Sequence, residues 1–346
     1  MKEKIPELKE RTYAIEDEFF SPFAKKSKDT AGRKRPEEPC GMRTDFQRDR
    51  DRIIYCKAFR RLKNKTQVFF SPEGDHYITR LTHTFDVAQI ARSIARALAL
   101  NEDLAEAIAL GHDLGHTPFG HSGERILNKL SPAGFRHNEQ SLRVVDVLEK
   151  HGEGLNLTYE VRDGILNHNK HKDKSFPVTL EGKCVCYADR IAYINHDLDD
   201  AIRAGVLKQT DVPESIVKIL GSSSRERINT AISSIYSSSR GKAEVSMSPE
   251  VEDASERLRA FMFERVYYTP FAQGEEGKAE RMLCFMYEYF VKDPSAMPPT
   301  YLKLCDDYPI EQVVCDYLSS MTDRYAIYTF NRLFVPKGWT FGDELS

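Results

Sequence analysis

Apolar residues recur at helical spacing along most of this chain, and that periodicity constrains the fold more than any other feature of the sequence. Between residues 82 and 98, apolar side chains fall three or four positions apart, at Val87, Ile90, Ala91, Ile94 and Leu98. This spacing places them on one face of an amphipathic helix. Comparable helical patterns occur at 140–150, 159–167, 189–204, 252–266, 280–291 and 311–330. The sequence therefore predicts a mainly α fold, with several of its helices in the C-terminal third.

One short β element is predicted within this helical fold. Residues 67–70 and 76–78 flank the segment SPEGD, in which Pro72 and Gly74 favour a turn. We expect these residues to form a short β-hairpin.

Composition and charge exclude several classes of protein. The chain has 346 residues, of which 40% are hydrophobic, so it is long enough to bury a large core. No apolar run approaches the roughly 20 residues that cross a bilayer, and the N-terminus lacks the apolar core of a signal peptide. We therefore expect a cytoplasmic protein with no membrane partner. Seven cysteines without paired spacing argue against a disulfide framework and a structural zinc site.

One segment is strongly basic, although the formal net charge of the chain is only −3. Residues 43–65 contain nine basic side chains against three acidic ones. Two interpretations are open. The segment either presents a surface to an anionic partner, such as single-stranded nucleic acid, or forms a solvated helix face with ion pairs four residues apart.

The histidines point to a functional site. All ten lie between residues 76 and 196. Histidine is both a common metal ligand and the side chain that titrates nearest neutrality, so this clustering indicates metal binding or acid–base chemistry. Two of the ten, His168 and His171, lie in the polar segment NHNKHKDK, and we expect them to be solvated surface residues.

Two other histidines fall on apolar helix faces. His83 lies four residues before Val87, and His112 continues the apolar stripe of a helix that Asn101 is expected to cap. Asp113 follows directly. Imidazole and carboxylate without thiolate suit a hard or borderline divalent ion, such as Mn, Mg, Fe, Co, Ni or Zn.

A further metal ligand is expected from another helix. Asp189 is the candidate, because it is expected to begin a helix after an apolar run that would otherwise be core, and a buried carboxylate needs a cation. The predicted metal ligands are therefore His83, His112, Asp113 and Asp189.

The order of these ligands resembles the HD superfamily of metal-dependent phosphohydrolases. Longer matches are DRDRIIYCKAFRRLKNKTQVF (49–69), TRLTHTFDVAQIARSIARAL (79–98), GHDLGHTPFGHSGERIL (111–127), FRHNEQSLR (135–143), YADRIAYINHDLDDAIRAG (187–205) and MTDRYA (321–326). Together they are similar to the dGTPase branch, the deoxynucleoside triphosphate triphosphohydrolases. The resemblance implies an HD-domain helical core at 43–205. A partly mobile extension (1–42) would precede it, and a C-terminal helical region (206–346) would pack on it.

The resemblance also implies a reaction. The enzyme would hydrolyse dGTP or several dNTPs to the deoxynucleoside and inorganic triphosphate, with a divalent metal ion as cofactor. Arg80 and Arg190 would bind phosphate oxygens, while Tyr193 and Asp197 would border the sugar. Gln67 would contact the sugar or the base. A homo-oligomer is implied as well, and a nucleotide activator at a separate site is compatible with it.

Proton transfer adds further candidates. The leaving 5′-oxygen needs a proton, which a histidine can donate at neutral pH. His116 and His121 are the candidates in the segment 112–121, and His121 is preferred. His137 and Glu139 form another predicted pair, which would orient or activate the attacking water. Here the chain departs from many relatives, in which the acid of this motif precedes the histidine.

Two alternative functions are open at this point. The first is an HD-type 5′-deoxynucleotidase or other phosphomonoesterase. The second, suggested by the basic segment 43–65, is a nucleotide-sensing or single-strand nucleic-acid-binding protein. Release of inorganic triphosphate would exclude the first. Salt-sensitive nucleic-acid binding without dNTP hydrolysis would favour the second.

Overall fold

Helices make up most of the chain, which confirms the mainly α prediction. The computed structural model describes residues 7–67, 78–169, 176–267 and 270–336. Its helices are α1 (Glu7–Phe19), α2 (Asp45–Tyr55), α3 (Lys57–Arg61), α4 (Arg80–Ala97), α5 (Glu102–Gly111), α6 (Gly120–Leu130), α7 (His137–Arg143), α8 (Tyr159–Asn167), α9 (Leu180–Arg203), α10 (Glu214–Leu220), α11 (Ser224–Ser239), α12 (Pro249–Met262), α13 (Pro270–Lys292), α14 (Pro299–Leu302), α15 (Ile310–Ser320) and α16 (Asp323–Phe334). Within these ranges, none of the helices combines the length and the apolar character needed to cross a membrane.

The predicted β-hairpin lies largely outside the described residues, which stop at 67 and resume at 78. Thr66 and Thr79, on either side of this gap, form an isolated antiparallel bridge. Another isolated bridge joins Arg33 and Thr158. The described ranges contain no β-sheet, and the hairpin itself stays a prediction.

Side-chain caps set where two of the site helices begin. Asn101 caps α5 through its side chain, as the sequence predicts. Helix α9 begins at Leu180, because the side chain of Thr179 accepts a hydrogen bond from the backbone N–H of Gly182. Asp189 therefore lies inside a helix of 24 residues, and the prediction that it begins a helix is wrong.

The larger hydrophobic core surrounds α5. This helix is apolar over most of its surface, and seven of its ten residues are buried. It packs against α2, α4, α8 and α9. Gly164 lets α8 approach closely, since a Cβ at that position would collide with the side chain of Ile108. The helices that carry the predicted metal ligands therefore meet inside one core, on which α10, α11 and α12 also pack.

A second hydrophobic core forms between α6 and the C-terminal helices α13, α15 and α16. Its buried members include Phe119, Leu127, Phe135, Leu283, Met286, Phe290, Val314, Leu318 and Ala326. The chain around α6 is therefore supported by helices that lie far from it in sequence. The domain boundaries at residues 42 and 205 stay predictions.

The described part of the N-terminal extension contacts the first core. The backbone N–H of Lys25 donates to the buried carboxylate of Glu181 at 2.9 Å, near the start of α9. The Arg33 guanidinium forms an ion pair with the buried Asp49 of α2.

Ion pairs occupy most arginines of the basic segment 43–65. The pairs are Arg43–Asp51, Arg48–Glu37, Arg50–Asp103, Arg50–Glu106 and Arg52–Glu37. Lys65 is buried, and its amine donates to two backbone carbonyls. None of these pairs has the predicted spacing of four residues, because the arginines pair with carboxylates farther away in the sequence. The pairs nevertheless weaken the observation that suggested a nucleic-acid partner.

Candidate active site

The four predicted metal ligands converge where α4, α5 and α9 meet. His83 Nε2 lies 3.1 Å from Asp189 Oδ1. His112 Nε2 lies 3.5 Å from Asp113 Oδ1 and 3.8 Å from Asp189 Oδ1. Donor atoms of His83, His112 and Asp113 all lie within 4.8 Å of one another. Two imidazoles and two carboxylates therefore face one small volume.

These donor atoms fit a divalent cation. His112 Nδ1 donates to the carbonyl of Ala109 at 2.6 Å, which orients the ring and leaves a lone pair on Nε2. Nε2 is buried, and among the described residues it has no hydrogen-bond partner. An unpartnered buried polar atom is costly, and a metal ion would satisfy it. Because imidazole and carboxylate suit several hard or borderline ions, the set does not select one metal.

The two carboxylates are held in their charged form. Burial alone would raise the pKa of Asp189, but the hydrogen bond with His83 and the proximity of His112 outweigh it and bring that pKa to about 2. Burial also opposes ionisation of Asp113, yet His112 and Arg80 hold its pKa well below the usual range. Burial lowers the pKa of His83. Neutral imidazole and ionised carboxylate are the forms that bind metals.

Arg80 adds a buried cation beside the ligands. Its side chain is 1% exposed, and Nη1 donates to Asp113 Oδ2 at 2.7 Å. Nε and Nη2 are also buried, and within the described ranges they have no hydrogen-bond partner. A guanidinium offers five N–H donors, so Arg80 retains donors for an anionic ligand such as phosphate.

Gln67 and Arg80 both lie near Gly120, at the start of α6. Its Oε1 is buried and finds no partner in the part of the chain that the structure describes. Gly120 allows the close approach: its φ is +58°, and a Cβ there would lie 3.1 Å from the Gln67 carbonyl oxygen and 3.6 Å from Arg80 Nη2. Two predicted substrate contacts, Arg80 and Gln67, are therefore brought together.

A second group of titratable side chains lies beside the ligands, on the turn after α5 and on α6 and α7. The rings of His116 and His137 stack, with centroids 4.5 Å apart and planes 19° apart. Glu124 Oε1 accepts from His137 Nδ1 at 2.9 Å, and Glu124 Oε2 lies 3.6 Å from His121 Nδ1. The side chain of His121 is 71% exposed, whereas His116 and His137 are buried.

Burial and neighbouring charges separate the pKa values in this group. Burial and the charge of Arg80 hold the pKa of His116 well below its usual range. Burial lowers the pKa of His137 too, but Glu124 more than compensates, and the net shift is upward. Burial would raise the pKa of Glu124, yet His137 and the hydrogen bond with His121 hold it far below normal. Such divergent values in adjacent groups are typical of acid–base sites.

The carboxylate that contacts His137 belongs to Glu124 and not to Glu139, the predicted partner. Glu139 is exposed on α7, and the carboxylate that contacts His137 is Glu124. Side chains two positions apart on a helix point about 200° apart, so Glu139 does not share the face of His137. Glu124 lies three residues after His121 on α6, and that spacing is the signal that could have identified it.

The expectation that His168 is a solvated surface residue is wrong. His168 is 1% exposed, and its Nδ1 donates to the carbonyl of Ile165 at 2.8 Å. Burial lowers its pKa to about 3. His168 follows the buried Val161 and Ile165 at helical spacing, so the stripe of α8 could have revealed it. His171 lies outside the described residues.

Seven histidine rings form one continuous series of ring contacts through the site. In spatial order they are His196, His83, His112, His168, His137, His116 and His121. His196 was not among the predicted site residues, and its Nε2 lies 3.0 Å from Asp86 Oδ2. The series connects the ligand group to the acid–base group through His168.

Arg190, a predicted phosphate contact, faces α12. Its guanidinium donates to both oxygens of Glu252 and to Glu256, each at 2.8 Å. Consecutive residues on a helix are rotated by about 100°, which explains why Arg190 meets α12 while Asp189 meets His83. A phosphate contact by Arg190 would require exchange of these carboxylates.

Tyr193 and Asp197 follow Asp189 at intervals of four residues on α9, so they continue its face. Tyr193 is half-buried and is hydrogen-bonded by Arg259; burial raises its pKa to about 12. Asp197 is buried. Their predicted contacts with the sugar stay predictions.

Two known domain families match parts of this chain. Residues 80–194 match the HD domain, and residues 245–332 match the phosphohydrolase-associated domain. The fold is similar to that of a phosphohydrolase from Bacteroides thetaiotaomicron VPI-5482, with a TM-score of 0.50 and 17% identity, covering 81% of this chain and 66% of that chain. The match to the HD domain and the clustered histidine and aspartate side chains of the helical core define an HD-domain hydrolase.

Relatives that match along nearly the whole chain identify the family. Deoxyguanosinetriphosphate triphosphohydrolase-like proteins from Caldanaerobacter subterraneus subsp. tengcongensis and Desulfatibacillum aliphaticivorans are 56% and 49% identical to it. The matches cover 96% and 95% of this chain and 97% and 98% of the two relatives. The chain belongs to the deoxyguanosinetriphosphate triphosphohydrolase-like family, which confirms the resemblance drawn from its motifs.

Proposed function

We propose that this protein is a metal-dependent enzyme that hydrolyses dGTP, or several dNTPs, to the deoxynucleoside and inorganic triphosphate. The observation that carries the proposal is the buried guanidinium of Arg80, which lies against Asp113 and keeps unpartnered donors within the described structure. A metal-ligand group with a free cationic donor at its side suits a substrate rich in phosphate oxygens.

The chain's own residues divide the work of the reaction. His83, His112, Asp113 and Asp189 hold the divalent cation, which supplies Lewis-acid polarisation of a phosphoryl oxygen and lowers the pKa of water. Arg80 stabilises the negative charge that develops on the α-phosphoryl group.

His121 donates the proton to the leaving 5′-oxygen. Its ring is exposed to an approaching substrate, and the nearby Glu124 carboxylate orients it. The buried His116 and the His137–Glu124 pair orient the attacking water. Glu124 thereby takes the role first assigned to Glu139.

The face of α9 beyond Asp189 binds the sugar. Asp197 accepts a hydrogen bond from the 3′-hydroxyl, and Tyr193 packs where a 2′-hydroxyl would intrude. Gln67 contacts the sugar or the base with its unpartnered amide oxygen. Arg190 binds phosphate after it exchanges Glu252 and Glu256 for the substrate.

Two broader features belong to the same proposal. The enzyme assembles into a homo-oligomer and acts in the cytoplasm on free nucleotides. A phosphomonoesterase is the competing function, and it differs in its products.

Product analysis tests the proposal. The protein is loaded in turn with Mn, Mg, Fe, Co, Ni and Zn and incubated with each dNTP, separately and in mixtures, before chromatography. We expect deoxynucleoside and intact triphosphate in equal amounts. Inorganic phosphate released from deoxynucleoside monophosphate, without triphosphate release from any dNTP, would favour the phosphomonoesterase. Faster turnover in mixtures than with single dNTPs would support activation, and light scattering would report the assembly.

A further inference from the structure

The C-terminal motif 321–326 contains an aspartate with no role in the chemistry described above. Asp323 is the first residue of α16 and is 5% exposed. Its Oδ2 accepts hydrogen bonds from the backbone N–H of Thr66, at 2.9 Å, and from the Thr66 hydroxyl. Its Oδ1 accepts from the backbone N–H of Phe119 at 3.0 Å. One carboxylate therefore joins two segments that are remote in sequence.

Both segments lead directly into the active site. Thr66 precedes Gln67, and Phe119 precedes Gly120 and His121. Phe119 and Gly120 both have positive φ, 62° and 58°. A phenylalanine in the left-handed region is strained, so its geometry persists only where surrounding contacts hold it. The hydrogen bond to Asp323 is such a contact.

A second set of contacts joins the same parts of the molecule. The buried amine of Lys65 donates to the carbonyl of His116 and, at 2.8 Å, to the carbonyl of Ser319 at the end of α15. Arg61 Nη1 donates to the Ser320 carbonyl at 3.0 Å. The turn between α15 and α16 is thus attached to both chain segments that Asp323 joins.

We propose that Asp323 is a positioning residue for the hydrolysis reaction. Through Phe119 it holds the left-handed turn that aims His121, and through Thr66 it holds Gln67 close to Gly120. Asp323 itself contacts neither the metal ligands nor the reacting phosphate. This inference rests on the proposed function, because it assigns a consequence to the placement of His121.

The chemistry of the site requires a carboxylate. All three partners of Asp323 donate: two backbone N–H groups and one hydroxyl. Asparagine has the same shape but offers one acceptor oxygen, and its amino group cannot accept. Asp323→Asn therefore breaks one side of the connection. The start of α16 should survive, because the Thr322 side chain caps it through the N–H of Tyr325.

The experiment compares wild type, Asp323→Asn and the control Asp307→Asn, which removes an exposed carboxylate between α14 and α15. Metal content, thermal unfolding, kcat and KM are measured with the dNTP that wild type hydrolyses best. We expect Asp323→Asn to lower kcat by up to about a hundredfold, the scale of a misplaced catalytic group, with metal content and KM little changed. The control should match wild type.

Two further measurements isolate the mechanism. Hydrogen exchange at the Phe119 amide or at the Thr66 amide, whichever loses its acceptor, should accelerate in Asp323→Asn and not in the control. Thr66→Val should lower kcat in wild type, because it removes the hydroxyl that donates to Asp323. If Asp323→Asn fails to fold, the kcat and the amide exchange of Thr66→Val test the positioning role instead.

Distinct results overturn the two proposals. Unchanged kcat in Asp323→Asn, or unchanged amide exchange at both Phe119 and Thr66, overturns the positioning role while leaving the proposed function intact. Proportional loss of metal, stability and kcat also overturns it, because that pattern indicates a general structural role. Absence of dNTP hydrolysis by wild type overturns the proposed function instead, and amide exchange still decides whether Asp323 holds the turn.

Discussion

The active site has two halves that are built differently. The ligand half consists of His83, His112, Asp113 and Asp189, which lie on or directly after helices of the first hydrophobic core. The proton half consists of His116, His121, Glu124 and His137, which lie on a turn and on the shorter helices α6 and α7. Residues flanking the proton half pack into the second core with the C-terminal helices. The proposed metal binding and the proposed proton transfer therefore depend on different parts of the chain.

Helix α7 shows the same dependence on the C-terminal region. Asp316 of α15 is fully buried, and its carboxylate accepts from Gln140 Nε2 at 2.9 Å and from Arg143 Nε at 2.8 Å. Both partners lie on α7, which begins at His137. Two buried aspartates, Asp316 and Asp323, therefore anchor the proton half from outside it.

Loss of a ligand should have the largest effect. We expect His83→Ala and Asp113→Ala to reduce metal content to background and turnover by at least about a thousandfold, because the ion contributes several kcal/mol to transition-state stabilisation. Metal analysis, circular dichroism and dNTP turnover measure the outcome, with the exposed His151→Ala as control. Full metal occupancy in both variants would contradict the ligand assignment.

Loss of the proposed proton donor should impair catalysis without impairing metal binding. His121→Ala should retain metal and nucleotide affinity while kcat falls by about a hundredfold, the usual contribution of a general acid. The measurements are metal content, KM and kcat, again against His151→Ala. An unchanged kcat would transfer the role of acid to His116 or to the His137–Glu124 pair.

Sugar contacts should have a smaller effect, confined to specificity. Tyr193→Ala should relax the rejection of GTP relative to dGTP, because it removes the ring that would meet the 2′-hydroxyl. Asp197→Asn should weaken transition-state binding of 3′-hydroxyl substrates by about 1.5 to 3 kcal/mol, the range for a hydrogen bond to a charged group. The comparison is kcat/KM for dGTP, GTP and 2′,3′-dideoxy-GTP. Unchanged selectivity in both variants would remove this face of α9 from the sugar site.

Glu181→Gln should affect turnover least and alter the pH dependence of stability. Burial raises the pKa of Glu181 to about 7, so the folded state favours its protonated form. Its contribution to stability is therefore complete below the unfolded-state pKa near 4.5 and is lost as pH rises through about 7. Between pH 4.5 and 8 we expect wild type to lose up to about 3 kcal/mol more than the variant.

Urea unfolding at several pH values measures this difference, with the exposed Glu153→Gln as control. Parallel pH profiles for wild type and Glu181→Gln would contradict the shifted pKa. Because Glu181 lies near the start of α9, the result bears on the scaffold of the ligand half and leaves the proton half untouched.

The two halves also differ in how well their residues can be predicted from the sequence. His83 and His112 lie on apolar stripes of single helices, so local spacing is enough to find them. Helix geometry alone turns Glu139 away from the face of His137, whereas the contact between Glu124 and His137 depends on how α6 and α7 are placed. The contacts of Arg190 with Glu252 and of Asp323 with Thr66 depend on helix placement, which no local pattern encodes.

The attachment of Asp323 to Thr66 also sets an order of events during synthesis. These residues are 257 positions apart, and the chain emerges from the ribosome N-terminus first. The helices of the ligand half end at Arg203, whereas Asp323 follows on the order of ten seconds later at roughly 5–20 residues per second. A growing chain therefore contains all four proposed metal ligands before Asp323, the proposed support of the turn that carries the proposed proton donor, has been synthesised.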